Sequence, residues 1–325
     1  MGLTAVHDML RGDLEQVEDR LRQRTVNSYE FVDLAVRHVI EGGGKRLRPM
    51  LALLSAQACG YSGDAMYDLA AAMELIHVAS LVHDDVIDEA ALRRNRETLN
   101  VRFGNKVSVL VGDYMHARVL AILVGCGATE PIYAAVADAT QSMCEGEVIH
   151  AYKADDFDIG VDDYLNIMDL KTARLIACSC RVGALLAGAE DGIVDAMSVY
   201  GSAVGVAFQI VDDVLDLVGE ETTFGKPTRN DLREGKLTLP VMHARDNCSP
   251  ADRDRLKGML LADERGPDDI EWIVNLTRSH NGVGHALQAA REMSSKAAGA
   301  VLAAPDSTAR DGLLALATAL VERDN

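Results

Sequence analysis

Proline is scarce in this chain. Seven occur in 325 residues, and none falls between Pro49 and Pro131 or between Pro131 and Pro227. Those gaps leave room for long uninterrupted helices. Aromatic residues are only 4% of the chain. Alternating β-branched runs joined by hairpin turn pairs are missing, which argues against a mainly-β fold. Basic charge is outweighed: the net charge is −18. A binder of the nucleic-acid backbone shows a basic footprint, so that class is set aside. The six cysteines lack C-x-x-C spacing and read as small buried residues in a reducing compartment. No uninterrupted apolar stretch reaches the length of a membrane span, so none is expected. The N-terminal segment is too polar for a signal peptide, and Val6 stands where a myristoylation signal needs Ser or Thr. A soluble cytoplasmic protein is the expectation. There is no Pro/Gly/Ser-rich linker, no low-complexity segment and no solenoid period, so the chain reads as one domain over 1–325.

What is present is a 3.6-residue period. In GLLALATALVERD, Leu313, Leu316, Ala317 and Leu320 fall on one stripe. The fold class is all-α, a single-domain helical bundle. Into this apolar background the stretch LVHDDVIDEAALRR inserts Asp84, Asp85, Asp88 and Glu89. On a helix over 73–88, His77, Ser80, Asp84 and Asp88 share one face. Like charges at i, i+4 destabilise a helix. A solvated face would be the plain explanation, but the run continues an apolar helix. A divalent cation is the sharper one: Mg²⁺ prefers oxygen ligands, takes one or two carboxylates and leaves positions for phosphates. The pattern then recurs. AFQIVDDVLDLVG repeats D-D-x-x-D with Asp212, Asp213 and Asp216, and Gln209 joins their face. Phe208, Val211, Leu215 and Val218 take another face, with Ala207, Ile210 and Val214 near it. Two such helices facing each other would line a pocket with carboxylates; a cluster of Mg²⁺ ions would cancel their charge, and the ions could hold a diphosphate.

Basic residues stand beside both runs. GGGKRLRP carries Lys45, Arg46 and Arg48 after three glycines; Arg93 and Arg94 follow the first run; FGKPTRNDLREGK brings Lys226, Arg229, Arg233 and Lys236 after the second. Each alone reads as solvated charge. Together they suggest two anion sites, one metal-assisted and one built from Arg and Lys.

The ordered set GGKRLRP, ELIHxASLVHDDVID, the Arg pair, LVGDYMHAR, EGEV, DLKTARLI and AFQIVDDVLDLVGEETTFGKPTRNDLREGK resembles the trans-prenyltransferases, or polyprenyl diphosphate synthases, of long-chain type. The likeness runs from about residue 40 to the C-terminus. It implies an all-α isoprenoid-synthase fold with a deep central cavity, a homodimer, and condensation of isopentenyl diphosphate with an allylic diphosphate. It implies about three Mg²⁺ ions bound with the allylic diphosphate. Asp84, Asp85 and Asp88 would bind metal, with Arg93 helping, and Asp212 would add a ligand supported by Asp213 and Asp216. Lys45, Arg48, His77 and Arg94 would hold isopentenyl diphosphate. Lys171, Thr172, Gln209 and Lys226 would line the space around the reacting carbons, with Lys236 as a second lysine of that loop. His83 is left unassigned, as a structural residue or one that supports a ligand from behind.

The chain departs from the family in two places. After the Arg pair the family reads Gly-x-Pro-Thr; here Asn95-Arg96-Glu97-Thr98 reads as a charged, more helix-compatible turn. Relatives often end on a basic residue, and only Arg323 could serve here. The resemblance also implies that the product grows down a tunnel beside the first acidic helix, whose floor is formed in part by residues one turn before Asp84. Ser80 and Ala79 are small where bulky aromatics would stop growth early. A helix turn rises about 5.4 Å, near one extended isoprene unit, so small residues there favour a product of about seven to ten units. The plainer alternative is that they permit close helix packing. Met73, Ile76, Val119 and Leu123 are candidates for the floor. Rival readings are a short-chain synthase, a terpene cyclase, a metal-dependent phosphohydrolase around His83-Asp84, and a non-catalytic subunit of a heteromeric synthase. A cyclase wants more aromatics in its pocket, and a phosphohydrolase wants further histidines.

Overall fold

A computed structural model describes residues 2–219, 229–319 and 321. The described chain is helical almost throughout. In order it forms α1 (Leu3–Met9), α2 (Arg11–Thr25), α3 (Glu30–Ile40), α4 (Leu47–Ala58), α5 (Ala65–Ile87), β1 (Leu92–Arg93), β2 (Arg96–Glu97), α6 (Leu99–Phe103), α7 (Asn105–Gly125), α8 (Glu130–Lys153), α9 (Val161–Met168), a π-turn (Asp169–Ala173), α10 (Arg174–Leu186), α11 (Asp191–Val218), α12 (Asn230–Arg233), α13 (Leu239–Asn247), α14 (Pro250–Leu260), α15 (Pro267–Ser279), α16 (Gly282–Val301) and α17 (Thr308–Ala319). The proline-free stretches carry the longest helices, as the missing helix breakers predict.

Packing groups the chain into two units, each discontinuous in sequence: 1–140 with 175–198 and 301–313, and 141–174 with 199–300 and 314–325. The first unit is built around α4, α5 and α7. Leu53, Leu54, Met73, Leu75, Met115 and Leu123 are fully buried there. Each such aliphatic side chain contributes about 1.5–3 kcal/mol of burial. Small residues let the helices approach. A Cβ on Gly112 of α7 would meet the His83 ring of α5 at 2.2 Å, and one on Gly183 of α10 would meet the Ala52 carbonyl of α4 at 2.5 Å. His83 also lies 3.2 Å from the Val109 carbonyl and stacks on His116. Its ring thus packs between α5 and α7, with Asp113 Oδ1 3.6 Å from Nε2.

The second unit centres on Phe157, Leu217, Leu232, Val241, Leu256 and Ile273, with Met168, Ile210, Val211, Val214 and Leu239 in a further cluster. On α11 the deepest positions are Ala207, Ile210, Val211 and Val214, whereas Phe208, Leu215 and Val218 are half-buried. The apolar centre is thus rotated from the face the sequence spacing put first. The C-terminal stripe is buried at Leu313, Leu316 and Ala317; Leu320 lies outside the described residues.

Two sequence expectations are corrected. Asn95–Thr98 is not helix-like: Leu92 pairs with Glu97 and Arg93 with Arg96 in a two-residue hairpin. Its turn places Arg94 (φ 53°) and Asn95 (φ 60°) in the left-handed region, as a type I′ turn requires. Second, only Cys178 and Cys180 are buried, although all six cysteines are free thiols. Among the described residues three helices are long and apolar enough to cross a membrane by length and composition, Ala65–Ile87, Asn105–Gly125 and Asp191–Val218, and none is shown to span one. A search for unbroken apolar runs misses them because a few polar residues interrupt each. In the first, 72% of the apolar window is buried within the protein, against 39% in the second.

Candidate functional site

In the first unit the acidic run ends a helix. Asp84 is half-buried near the last turn of α5, Asp85 is buried, and Asp88 is the exposed C-cap, its N–H donating to the Asp84 carbonyl at 2.8 Å. Asp84 and Asp88 are one turn apart and share a face, whereas Asp85 is turned toward the hairpin. Arg93 Nε donates to Asp85 Oδ1 at 2.7 Å. Burial raises the Asp85 carboxyl above its usual range, and Arg93 opposes that rise.

The basic residues converge on the same helix from the glycine loop and the hairpin turn. A Cβ on Gly44 would lie 2.7 Å from Arg94 Nη1, so the glycine is what lets the guanidinium reach the loop backbone. His77 is pushed far below the ordinary histidine range by burial and by Arg48, Arg94, Arg93 and Arg46, so it is neutral. Arg48, in the first turn of α4, has a buried Nε without a hydrogen-bond partner, and burial lowers it to about 10 against the pull of Glu74. Lys45 is exposed beside it in sequence.

Arg46 behaves differently from its neighbours. It takes a left-handed backbone (φ 50°) and turns inward. Its guanidinium pairs with Glu18, with Glu74 Oε1 at 2.9 Å and with the Ile40 carbonyl at 3.3 Å. Burial works against its charge, but Glu18 and Glu74 raise it above the usual arginine value. Glu74, nearly fully buried on α5, was overlooked in the sequence. Its signal was a carboxylate one turn before His77 inside an apolar run.

In the second unit the other run is divided among three tasks. Asp212 is exposed. Asp213 accepts from Tyr164 Oη and from Gln209 Nε2 at 2.9 Å, and burial lifts it to about 6. Asp216 receives the backbone N–H of Asn230 at 3.2 Å and of Asp231 at 3.0 Å, and so starts the short helix α12. Leu232 is buried beneath that helix. Lys236 sits beside Glu234, with Asp231 4.0 Å away. Burial, then Asp213 and Asp216, lift Asp231 to about 7. Lys226 and Arg323 lie outside the described residues.

Lys171 and Thr172 sit on the π-turn between α9 and α10. Single π-turns are inserted where a helix must re-aim side chains. Thr172 Oγ1 donates to Gln209 Oε1 at 3.3 Å, which links it through Gln209 to Asp213 and Tyr164. Lys171 Nζ pairs with Glu147 Oε2 at 2.7 Å. Gly146 makes that possible: a Cβ there would sit 2.8 Å from the Lys171 backbone N. Gly146→Ala is therefore expected to cost about 1–3 kcal/mol by overpacking, seen as a lower unfolding midpoint. An unchanged midpoint would show that α8 can back away freely.

These carboxylates fit a hard, oxygen-loving cation. Several are raised by burial and by one another, a cost that a divalent ion would relieve. Among the described residues no three His, Cys, Asp or Glu side chains form a ready metal cage.

Comparison with known proteins adds three findings. The family model for polyprenyl synthetase matches residues 29–277. The chain is 32% identical to the octaprenyl diphosphate synthase of Escherichia coli (strain K12), covering 100% of both, and 32% identical to a short chain isoprenyl diphosphate synthase of Methanothermobacter thermautotrophicus, covering 98% of this chain and 99% of that one. The crystal structure of a decaprenyl diphosphate synthase from Rhodobacter capsulatus superposes with a TM-score of 0.93 at 37% identity, over 99% of each chain.

Proposed function

The chain belongs to the polyprenyl synthetase family, and on that premise we propose that it is a Mg²⁺-dependent trans-prenyltransferase. It condenses isopentenyl diphosphate with an allylic diphosphate and releases diphosphate. The product is a long all-trans polyprenyl diphosphate of about seven to ten isoprene units. The observation that carries the reaction is the cluster of Arg48, Arg93 and Arg94 around a neutral His77 on the helix that ends in Asp84, Asp85 and Asp88. Arginines grouped around a group that adds no charge of its own suit a diphosphate.

Asp84, Asp85, Asp88 and Asp212 are assigned to Mg²⁺, with Asp213 and Asp216 holding the second run in shape. Bound with the allylic diphosphate, Mg²⁺ supplies positive charge to the departing group. Lys171, Lys226 and Lys236 donate to the same leaving oxygens as the allylic C–O bond ionises. Lys45, Arg48, His77 and Arg94 hold isopentenyl diphosphate so that its double bond attacks the allylic carbon. Thr172 and Gln209 turn oxygen dipoles toward the cation. Loss of a proton from the condensed cation creates the new double bond, and the released diphosphate is the acceptor.

Long products are supported by Ala79 and Ser80, one turn before Asp84. Met73, Ile76, Val119 and Leu123 are all buried in the same unit and remain the candidates for the tunnel floor. We also propose a homodimer in the cytoplasm, supported by exposed Leu110, Leu120 and Val124 on α7. Incubation with Mg²⁺, farnesyl diphosphate and excess isopentenyl diphosphate, with products sized by mass spectrometry, tests the reading. A ladder ending at about seven to ten units is expected. A stop at about three or four would keep the chemistry and refute the open tunnel. No elongation from any allylic primer would refute the activity.

A further inference from the structure

Two acceptors hold the Lys171 ammonium. Nζ lies 2.7 Å from Glu147 Oε2 and 3.0 Å from His150 Nδ1. Glu147 and His150 are one turn apart on α8 and so present their side chains to the same place. They do not satisfy each other: His150 Nδ1 is 3.9 Å from Glu147 Oε1, beyond hydrogen-bond reach. Lys171 therefore bridges them. An ammonium can only donate. Nδ1 is then the bare nitrogen of the ring and Nε2 carries the proton, a tautomer assigned from this network.

The two acceptors differ in charge, and that difference matters. Glu147 lies at about 2, below the ordinary carboxylate range, and is ionised. A second carboxylate at position 150 would cancel more of the Lys171 charge and repel an incoming anion. An imidazole steers the ammonium while adding no negative charge. The nearest lysine on the same helix does not compete, because Lys153 is paired with Asp163 at 2.7 Å. The Gly146 contact and the π-turn bring the Lys171 backbone close enough for its side chain to reach both acceptors.

We propose that His150 is a positioning residue which, with Glu147, fixes the Lys171 ammonium so that its remaining N–H is aimed at the departing diphosphate. This rests on the prenyl-transfer reading. His150→Ala removes the acceptor, whereas His150→Gln keeps a neutral one in the amide oxygen.

With Mg²⁺ and both substrates, His150→Ala is expected to lower kcat about tenfold, and His150→Gln to stay within about threefold of the parent. The KM for isopentenyl diphosphate should be unchanged in both, since Lys171 is not among the groups assigned to that substrate. Acylation of Lys171 by an activated ester, followed by peptide mass spectrometry, reads the clamp without turnover. Labelling should be faster in folded His150→Ala than in the parent and near parental in His150→Gln. Parental labelling and kcat in His150→Ala would overturn the proposal, as would equal losses in both variants. If parent and variants alike fail to elongate, the prenyl-transfer reading falls. The clamp is then decided by the labelling rates alone.

Discussion

Asp84→Ala is expected to lower turnover by about two to three orders of magnitude, and Asp212→Ala by a similar factor. The reasoning is electrostatic. Asp84 and Asp88 lie one turn apart at the end of α5, where their mutual repulsion costs a few tenths of a kcal/mol that a cation between them would remove. A carboxylate removed from that face weakens a metal-stabilised leaving group most when the C–O bond is breaking, so kcat should suffer along with metal affinity. Asp212 differs from its two neighbours in the second run. Asp213 is committed to Tyr164 and Gln209, and Asp216 to backbone N–H groups, whereas Asp212 is exposed. The Asp212 variant should therefore keep its fold. Steady-state turnover across a Mg²⁺ series, with circular dichroism alongside, checks both. Parental turnover with parental dichroism would remove the residue from the metal set.

Glu74→Ala should act on stability before chemistry, costing about 3–5 kcal/mol. Its carboxylate is the counter-ion of the buried Arg46 and also opposes the burial of Arg48. Truncation leaves Arg46 with Glu18 and the Ile40 carbonyl and removes the Glu74 charge that offsets Arg46, Arg48 and Arg94. The loss comes from charge left without compensation, because the intact pair itself adds little after desolvation. Glu74→Gln keeps one acceptor and should lie between the two. Denaturant unfolding of the first unit's signal measures the order parent, Gln, Ala. A parental midpoint in Glu74→Ala would mean that water or Glu18 carries the whole of the Arg46 charge.

A helix over 73–88 was legible from the apolar residues Leu75, Ile76, Val78, Leu81 and Val82, although the helix itself spans Ala65–Ile87, and the all-α class followed from missing prolines and missing alternation. Thr172 and Gln209 were named from the family resemblance, and the structure places them 3.3 Å apart. The unread parts share a physical cause: spacing reports which face a side chain occupies, not which partner it finds there. Arg46 and Arg48 look alike in GGGKRLRP, yet a left-handed backbone turns one into the core. Asp216 repeats the spacing of Asp88 but spends both oxygens on the start of α12. The hairpin at Arg94-Asn95 rests on two positive φ angles, of which only Asn95 carried a local sequence signal.

The π-turn also limits how this chain can vary. An α-helix rotates about 100° per residue, so deleting one residue within Asp169–Ala173 would let the ordinary ladder close and swing everything after it by that angle. Lys171 would then face away from Glu147, or Thr172 away from Gln209, according to which side of the deletion gave way. Substitutions along DLKTA are open to selection one at a time. Its length is a ratchet, and descendants of this sequence can move past that tooth only by losing one of the two contacts.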